Sequence, residues 1–197
     1  MGEYFWKGGR ELLNACVRLA AKEDFHLEYI SLRVHPPQGV VERARRILDM
    51  GYHEGPVPRR ILLEEIYPRT DVFAMPTYID TFGYAFLEAM SYGIPSVGAR
   101  HFAVPEIIQD DVTGILVNPV LSYFDSAGMG HPEFDIESAD GTATSEALVS
   151  ALSVLLGSKG LRNHMGREAL KSIQEGKFSV PVRNSILKTA YEDCMRR

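Results

Sequence analysis

Apolar positions along the chain switch repeatedly between a helical and a strand-like spacing. Residues 8–22 set Leu12, Leu13, Cys16, Leu19 and Ala20 at helical intervals. FHLEYISLRV, 25–34, alternates and then runs apolar, which predicts a strand. GVVERARRILDMG, 39–51, predicts an amphipathic helix stopped by Gly51. A short helix over 59–68 stops near Pro68, and DVFAMP, 71–76, has the brief continuous apolar run of a buried parallel strand. The pattern then predicts a helix at 83–92 with Gly93 as its C-cap, a strand at 95–99, a short helix at 104–110 and a strand at 114–118. Helices over 144–156, 160–174 and 181–196 complete the chain. Such alternation predicts an α/β fold built on a parallel sheet flanked by helices. Residues 119–143 break the rhythm. They hold five acids and no Lys or Arg, and read as a long, irregular, solvated insertion.

Composition narrows the function. The 197 residues suffice for one ordinary domain with a real core, or two very small ones. A net charge of −5 argues against a nucleic-acid-coating role. Cys16 and Cys194 lie far apart without metal-ligand spacing, which suggests a reduced, intracellular, cytoplasmic protein. No apolar run approaches the roughly 20 residues of a spanning helix, so membrane contact is expected to be peripheral at most. The six histidines show neither HExxH nor clustered spacing, so no metal site is expected, and His101 alone falls near the presumed ligand edge.

The chemistry concentrates in DTFGYAFLEAMSYGIPSVG, 80–98. Strand 71–76 runs into Asp80-Thr81-Phe82-Gly83, where a helix starts. Ligands of open parallel sheets bind beyond the carboxyl ends of strands. Helix N-termini offer unpaired N–H groups and a positive dipole end. With Gly83 admitting close approach, the arrangement suits an anion, most simply a phosphate. Glu88, further into the helix, could then reach a sugar hydroxyl pair, with Asp80 on the other side of the anion. The alternative is capping: Asp80 or Thr81 caps the helix and Glu88 is a solvated surface acid. Lys7, before Gly8 and Gly9, suits a phosphate contact or a flexible terminus. Glu106 either faces a ligand or is a favourable first-turn acid.

Residues 70–119 resemble the carboxyl-terminal half of retaining, GT-B-fold glycosyltransferases of group 1 (glycosyltransferase family 4), relatives of glycogen and sucrose synthases. Lys7-Gly8 resembles that family's KG element, and KFSVPVRNSILKTAYEDCM, 177–195, its closing helix. The resemblance implies a Rossmann-like donor domain over 1–197, with 119–143 inserted and 181–197 closing. It implies a nucleotide diphosphate sugar as donor substrate and no further cofactor. Glu88 would contact the ribose hydroxyls, and Asp80, one methylene shorter than the usual Glu, the transferred sugar. The backbone at Phe82, Gly83 and Tyr84 would bind the diphosphate, Lys7 would neutralise it, and the base would stack near Val57 and Leu63. Asp80 and Lys7 are thus the expected catalytic pair, acting by charge stabilisation without a protein nucleophile.

The family's Arg before KG is absent where Gly2-Glu3 stand, and Phe102-Ala103 replace a Gly-Gly pair. The family's first strand should precede Lys7, yet six residues remain. An amino-terminal domain is therefore expected in cis or as a partner chain, with the acceptor unknown. The alternative function is a non-catalytic nucleotide-sugar-binding module acting with a partner chain. A sugar-nucleotide epimerase of similar fold fits the LEAM motif poorly.

Overall fold

The computed structural model describes residues 3–31, 36, 37, 39–121 and 135–196. The central part of the acidic insertion, 122–134, and the end of the first predicted strand, 32–34, lie outside them. The chain opens with α1 (Glu3–Trp6) and α2 (Gly9–Leu19), followed by β1 (His26–Ser31), α3 (Val40–Arg45) and β2 (Asp49–Glu54). A continuous helical stretch follows, beginning as α4 (Arg59–Ile61), widening to a π-turn (Leu62–Ile66) and tightening to a 3-10 turn (Tyr67–Arg69). Then come β3 (Phe73–Met75), α5 (Tyr84–Ser91), β4 (Ser96–Ala99), α6 (Val104–Ile107) and β5 (Gly114–Val117). Three helices close the chain: α7 (Thr142–Gly157), α8 (Lys159–Gln174) and α9 (Val180–Met195).

All strand pairs are parallel, as the alternation of elements predicts, but the sheet is in two pieces. Among the described residues β1 pairs only with β2, and β3, β4 and β5 form a second, three-stranded sheet in that order. The predicted helix over 39–51 is corrected here. It ends at Arg45, and Asp49–Glu54 is a strand with Gly51 in its middle. Gly51 is no helix stop. It lies opposite Glu28, and a Cβ there would sit 2.7 Å from the Glu28 carboxylate.

Two packing surfaces anchor the sheets. One side of α2 (Leu12, Cys16, Leu19) meets Leu148, Leu152 and Leu155 of α7 over Val97 and Val117. On the other side, Phe86 and Met90 of α5 pack with Val104, Ile107 and Ala169. α8 closes on α5 at a glycine pair, where a Cβ on Gly166 would sit 2.1 Å from the Gly93 carbonyl oxygen. Cys16 is buried in the first of these cores and Cys194 is exposed, both free thiols. No residue of α9 is buried, and its Ile186, Tyr191 and Met195 are exposed. No helix of the described residues is long and apolar enough to cross a membrane.

Candidate functional site

The carboxyl end of β3 leads through Pro76–Phe82 to α5, and this turn carries the site. Gly83 enters α5 with φ of +94°, a left-handed conformation that favours glycine. A Cβ there would also press on Phe86 and Ile107 at 3.1 and 3.2 Å. So Gly83 lets the chain turn sharply while the apolar face of α5 stays packed.

Asp80 holds the turn together. Its Oδ1 accepts from the backbone N–H groups of Phe82 (3.1 Å) and Gly83 (2.9 Å). Its Oδ2 accepts from Lys7 Nζ at 2.7 Å, and the same ammonium donates to the Ile79 carbonyl at 3.0 Å. The Asp80 side chain is 13% exposed and that of Lys7 35%, so the ion pair is partly shielded from water. Two expectations meet here. The Phe82 and Gly83 amides and Lys7 do converge on one anion, as a diphosphate seat requires. The anion they hold is the Asp80 carboxylate, which is the capping reading. Tyr84, the first residue of α5, carries a largely exposed side chain, and its amide is one of those a helix leaves without an intrahelical acceptor.

Glu88 is not the solvated surface acid of the capping alternative. It pairs with Arg59 through Oε1 and accepts from the Tyr67 hydroxyl at 3.2 Å through Oε2. Tyr67 is itself buried. Burial first, then the Glu88 charge, pushes the Tyr67 phenol well above its ordinary range, so it stays a donor to the carboxylate. Arg59 and Tyr67 were missed in the sequence. Neither lies at a periodic distance from Glu88, and the Arg59-Arg60 pair at the start of a helix was the only signal. The Val57–Leu63 segment is brought beside Glu88 through Arg59 and through the Tyr92 hydroxyl, which donates to the Leu63 carbonyl at 2.8 Å. The Val57 side chain is half-buried, and that of Leu63 leans on the Tyr67–Ala89–Ile94 cluster.

Gly8 and Gly9, which follow Lys7, are both closely packed. Gly8 has φ of +68° and leaves no room for a Cβ against the Pro76 carbonyl, and Gly9 is packed against Tyr29 and Tyr4. Both glycines serve internal packing and place Lys7 at the turn. His101 lies two residues past the end of β4 in a buried position, where desolvation lowers its pKa. Phe102, in the place of the family's glycine pair, has φ of +49°. The Glu106 side chain is exposed, and its backbone carbonyl accepts from Lys177. Among the described residues no group of three His, Cys, Asp or Glu is placed to hold a metal ion.

The profile of a family described as "Glycosyl transferases group 1" matches residues 1–123. The sulfoquinovosyl transferase SQD2 of Arabidopsis thaliana is 47% identical over 60 residues, which is 29% of this chain and 12% of that protein. The structure is similar to the C-terminal domain of the group 1 family protein LpcC from Francisella tularensis, with TM-score 0.63 and 20% identity over 89% of this chain and 81% of that one. It is also similar to Anabaena HepE solved in complex with UDP-glucose, with TM-score 0.63 and 17% identity over 95% of this chain and 46% of that one. Both structural likenesses are likenesses of fold, and the fold is the expected one: a Rossmann-like half of a GT-B glycosyltransferase. The chain spans less than half of HepE and, by its aligned stretch, a small fraction of SQD2.

Proposed function

This chain belongs to the group 1 glycosyl transferases, and we propose that it is the donor-binding part of a retaining enzyme, holding a nucleoside diphosphate sugar at the mouth of α5. The observation that carries this reading is the convergence of Lys7 and the Phe82 and Gly83 amides on a single negative group. Those three donors, with the N–H of Tyr84 at the start of α5, form a seat of the size and sign of a phosphate. On donor binding the diphosphate replaces the Asp80 carboxylate, which turns towards the transferred sugar. Glu88, oriented by Tyr67 and Arg59, accepts from the ribose hydroxyls, and Val57 and Leu63 flank the base.

In this reading the catalytic contribution of the chain is electrostatic. As the bond between the sugar and diphosphate lengthens, negative charge grows on the leaving phosphate. Lys7 and the helix N–H groups already face that position, so no reorganisation is needed as charge develops. The acceptor and its contacts belong to an amino-terminal domain, in cis or on a partner chain. HepE in complex with UDP-glucose supports uridine as the first base to try. Calorimetric titration with uridine, adenosine and guanosine diphosphates and their glucose conjugates tests the proposal. Selective binding that is lost in Glu88→Ala is expected. Equal affinity of Glu88→Ala and the native chain, with the fold intact, would refute the assignment. Transfer with retained anomeric configuration, measured by NMR once an amino-terminal domain is supplied, separates an enzyme half from a non-catalytic binding module.

A further inference from the structure

Behind the Asp80 turn the core holds polar side chains with no exposure to water: Glu11 of α2, Tyr78 of the turn itself and Thr144 of α7. Polar groups buried this completely persist where hydrogen bonds offset their desolvation.

Tyr78 is held at both ends. Its backbone N–H donates to the Trp6 carbonyl at 2.7 Å, and the Ile79 N–H donates to the same oxygen at 3.1 Å. At the other end its hydroxyl donates to Thr144 Oγ1 at 3.2 Å. Burial pushes the Tyr78 phenol up to about 12. Its bond to Thr144 works against that rise and the Glu11 charge adds to it, so the hydroxyl keeps its proton. Ile79, next in the chain, supplies the carbonyl that takes Lys7 Nζ at 3.0 Å, and Asp80 follows. The cation and the carboxylate of the seat both hang on the backbone beside Tyr78.

Thr144 Oγ1 accepts a second bond, from the Val120 N–H at 2.9 Å. Val120 stands at the first root of the 119–143 insertion, and the second root returns to the same place. Arg10 donates to Glu11 Oε1 through Nε at 3.0 Å and Nη2 at 2.7 Å. The same guanidinium donates to the carbonyls of Ile136 at 3.1 Å and Glu137 at 2.9 Å. Gly141 lies so near that a Cβ there would sit 2.1 Å from Glu11 Oε1.

We propose that Tyr78 and Thr144 are positioning residues of the donor seat, and that the Thr144 hydroxyl joins the turn of that seat to the first root of the insertion. The proposal rests on reading the Asp80 turn as the donor seat. Both side chains are buried behind the turn and act through Ile79 and Asp80. They fix where Lys7 Nζ and the Phe82 and Gly83 amides point before a diphosphate arrives. Donors fixed in advance lose less freedom on binding than donors that must first be ordered. A phenylalanine would fill the same core space, so it is the hydroxyl that makes Tyr78 a tether. Because one oxygen serves both partners, a displacement at Val120 reaches the turn through two hydrogen bonds, and a displacement of the turn reaches Val120 by the same route.

The test uses the 197-residue chain as the native protein and as Tyr78→Phe, Thr144→Val and Thr144→Ser. Amide hydrogen exchange is read at Phe82 and Gly83, at Val120, and at the β4–β5 ladder as a control. In Tyr78→Phe, exchange at Phe82 and Gly83 is expected to speed up about fivefold or more, with Val120, which keeps its acceptor, and the ladder unchanged. Thr144→Val removes the shared oxygen and should speed exchange at Phe82, Gly83 and Val120 together, again with the ladder unchanged. Thr144→Ser keeps the oxygen and should match the native chain. Calorimetric affinity for uridine diphosphate should fall about fivefold in Tyr78→Phe and Thr144→Val and recover in Thr144→Ser. Unchanged exchange at Phe82 and Gly83 in Tyr78→Phe and Thr144→Val overturns the proposal. Faster exchange that includes the ladder equally makes Tyr78 an ordinary core contact and also overturns it. So does full affinity in a variant whose turn exchanges faster. If the native chain binds no diphosphate, the donor reading falls by itself, and exchange at Phe82, Gly83 and Val120 still decides whether the Tyr78–Thr144 joint holds the turn.

Discussion

Replacing Asp80 by alanine separates an anion seat from a simple helix cap. In the free protein the carboxylate accepts three donors: Lys7 Nζ at 2.7 Å, Gly83 N–H at 2.9 Å and Phe82 N–H at 3.1 Å. A diphosphate that uses these donors must first displace the carboxylate. Each hydrogen bond to a charged group is worth about 1.5–3 kcal/mol, but the three are not additive. The Lys7 side chain is 35% exposed, so water replaces part of what it loses. Loss of the cap frees the turn at a cost of about 1 kcal/mol. Removing a negative charge beside the incoming phosphates contributes in the other direction, by about 1–4 kcal/mol at 4 Å for effective dielectric constants between 80 and 20. The net expectation for Asp80→Ala is about 1–2 kcal/mol tighter binding of uridine diphosphate, roughly 5–30-fold. Its preference for UDP-glucose over the plain diphosphate should fall, because the sugar loses its acid. The assay is paired calorimetric titration at fixed low salt, with circular dichroism to confirm the fold. Unchanged or weaker diphosphate binding by a folded variant would refute the displacement reasoning and leave Asp80 as a cap.

Glu88→Ala should weaken nucleoside diphosphate binding by about 1.5–3 kcal/mol. Because it also strips the Tyr67 hydroxyl of its acceptor, thermal stability should fall with it, and a variant equal to the native chain in both would remove Glu88 from the site. Gly166→Ala places a methyl 2.1 Å from the Gly93 oxygen and should cost about 1–3 kcal/mol in denaturant unfolding by forcing α8 off α5. A neutral result would mean that the two helices slide apart freely. His26 has its pKa raised above the ordinary value, chiefly by its bond to Asp49 and further by Glu28. Its contribution is therefore fully present below its unfolded pKa and lost as pH rises through the higher folded one. The stability difference between the native chain and His26→Ala should be larger at pH 5.5 than at pH 8.5, and a difference independent of pH would contradict it.

Much of this architecture can be read from local pattern, because burial imposes a period wherever an element has one covered face. The period-3.6 run ending at Leu19, the compact DVFAMP strand and the Gly93 stop are cases of that kind. β2 is not. Asp49–Glu54 is too short and mixed to show alternation, and its central glycine imitates a helix stop, although its actual constraint is the Glu28 carboxylate on the neighbouring strand. The site divides in the same way. Asp80, Gly83 and Glu88 stand out because a turn and the helix it opens place them along one short stretch. The contacts that give two of them their character come from far along the chain: Lys7 for Asp80, Arg59 and Tyr67 for Glu88. No spacing rule encodes a pair separated by 73 positions. The break between β1 and β3 was equally illegible, since each strand reads as buried whether or not its inner edge has a neighbour.

The exposure of α9 has a further consequence. Sixteen residues long, it is capped at its start by Ser179, whose hydroxyl accepts from the Val182 N–H at 3.4 Å, and no residue within it is buried. Isolated helices of about that length are marginal in water, and the Lys188–Glu192 ion pair along α9 is a surface contact that resists unwinding little. Arg183 and Lys188 lie on it in full view of a protease. Trypsin should shorten the chain from this end long before it cuts the packed helices α7 and α8. The rate of that clipping is then a gauge of docking: any partner that covers α9 will announce itself as a longer half-life of the intact chain, before its identity or its chemistry is known.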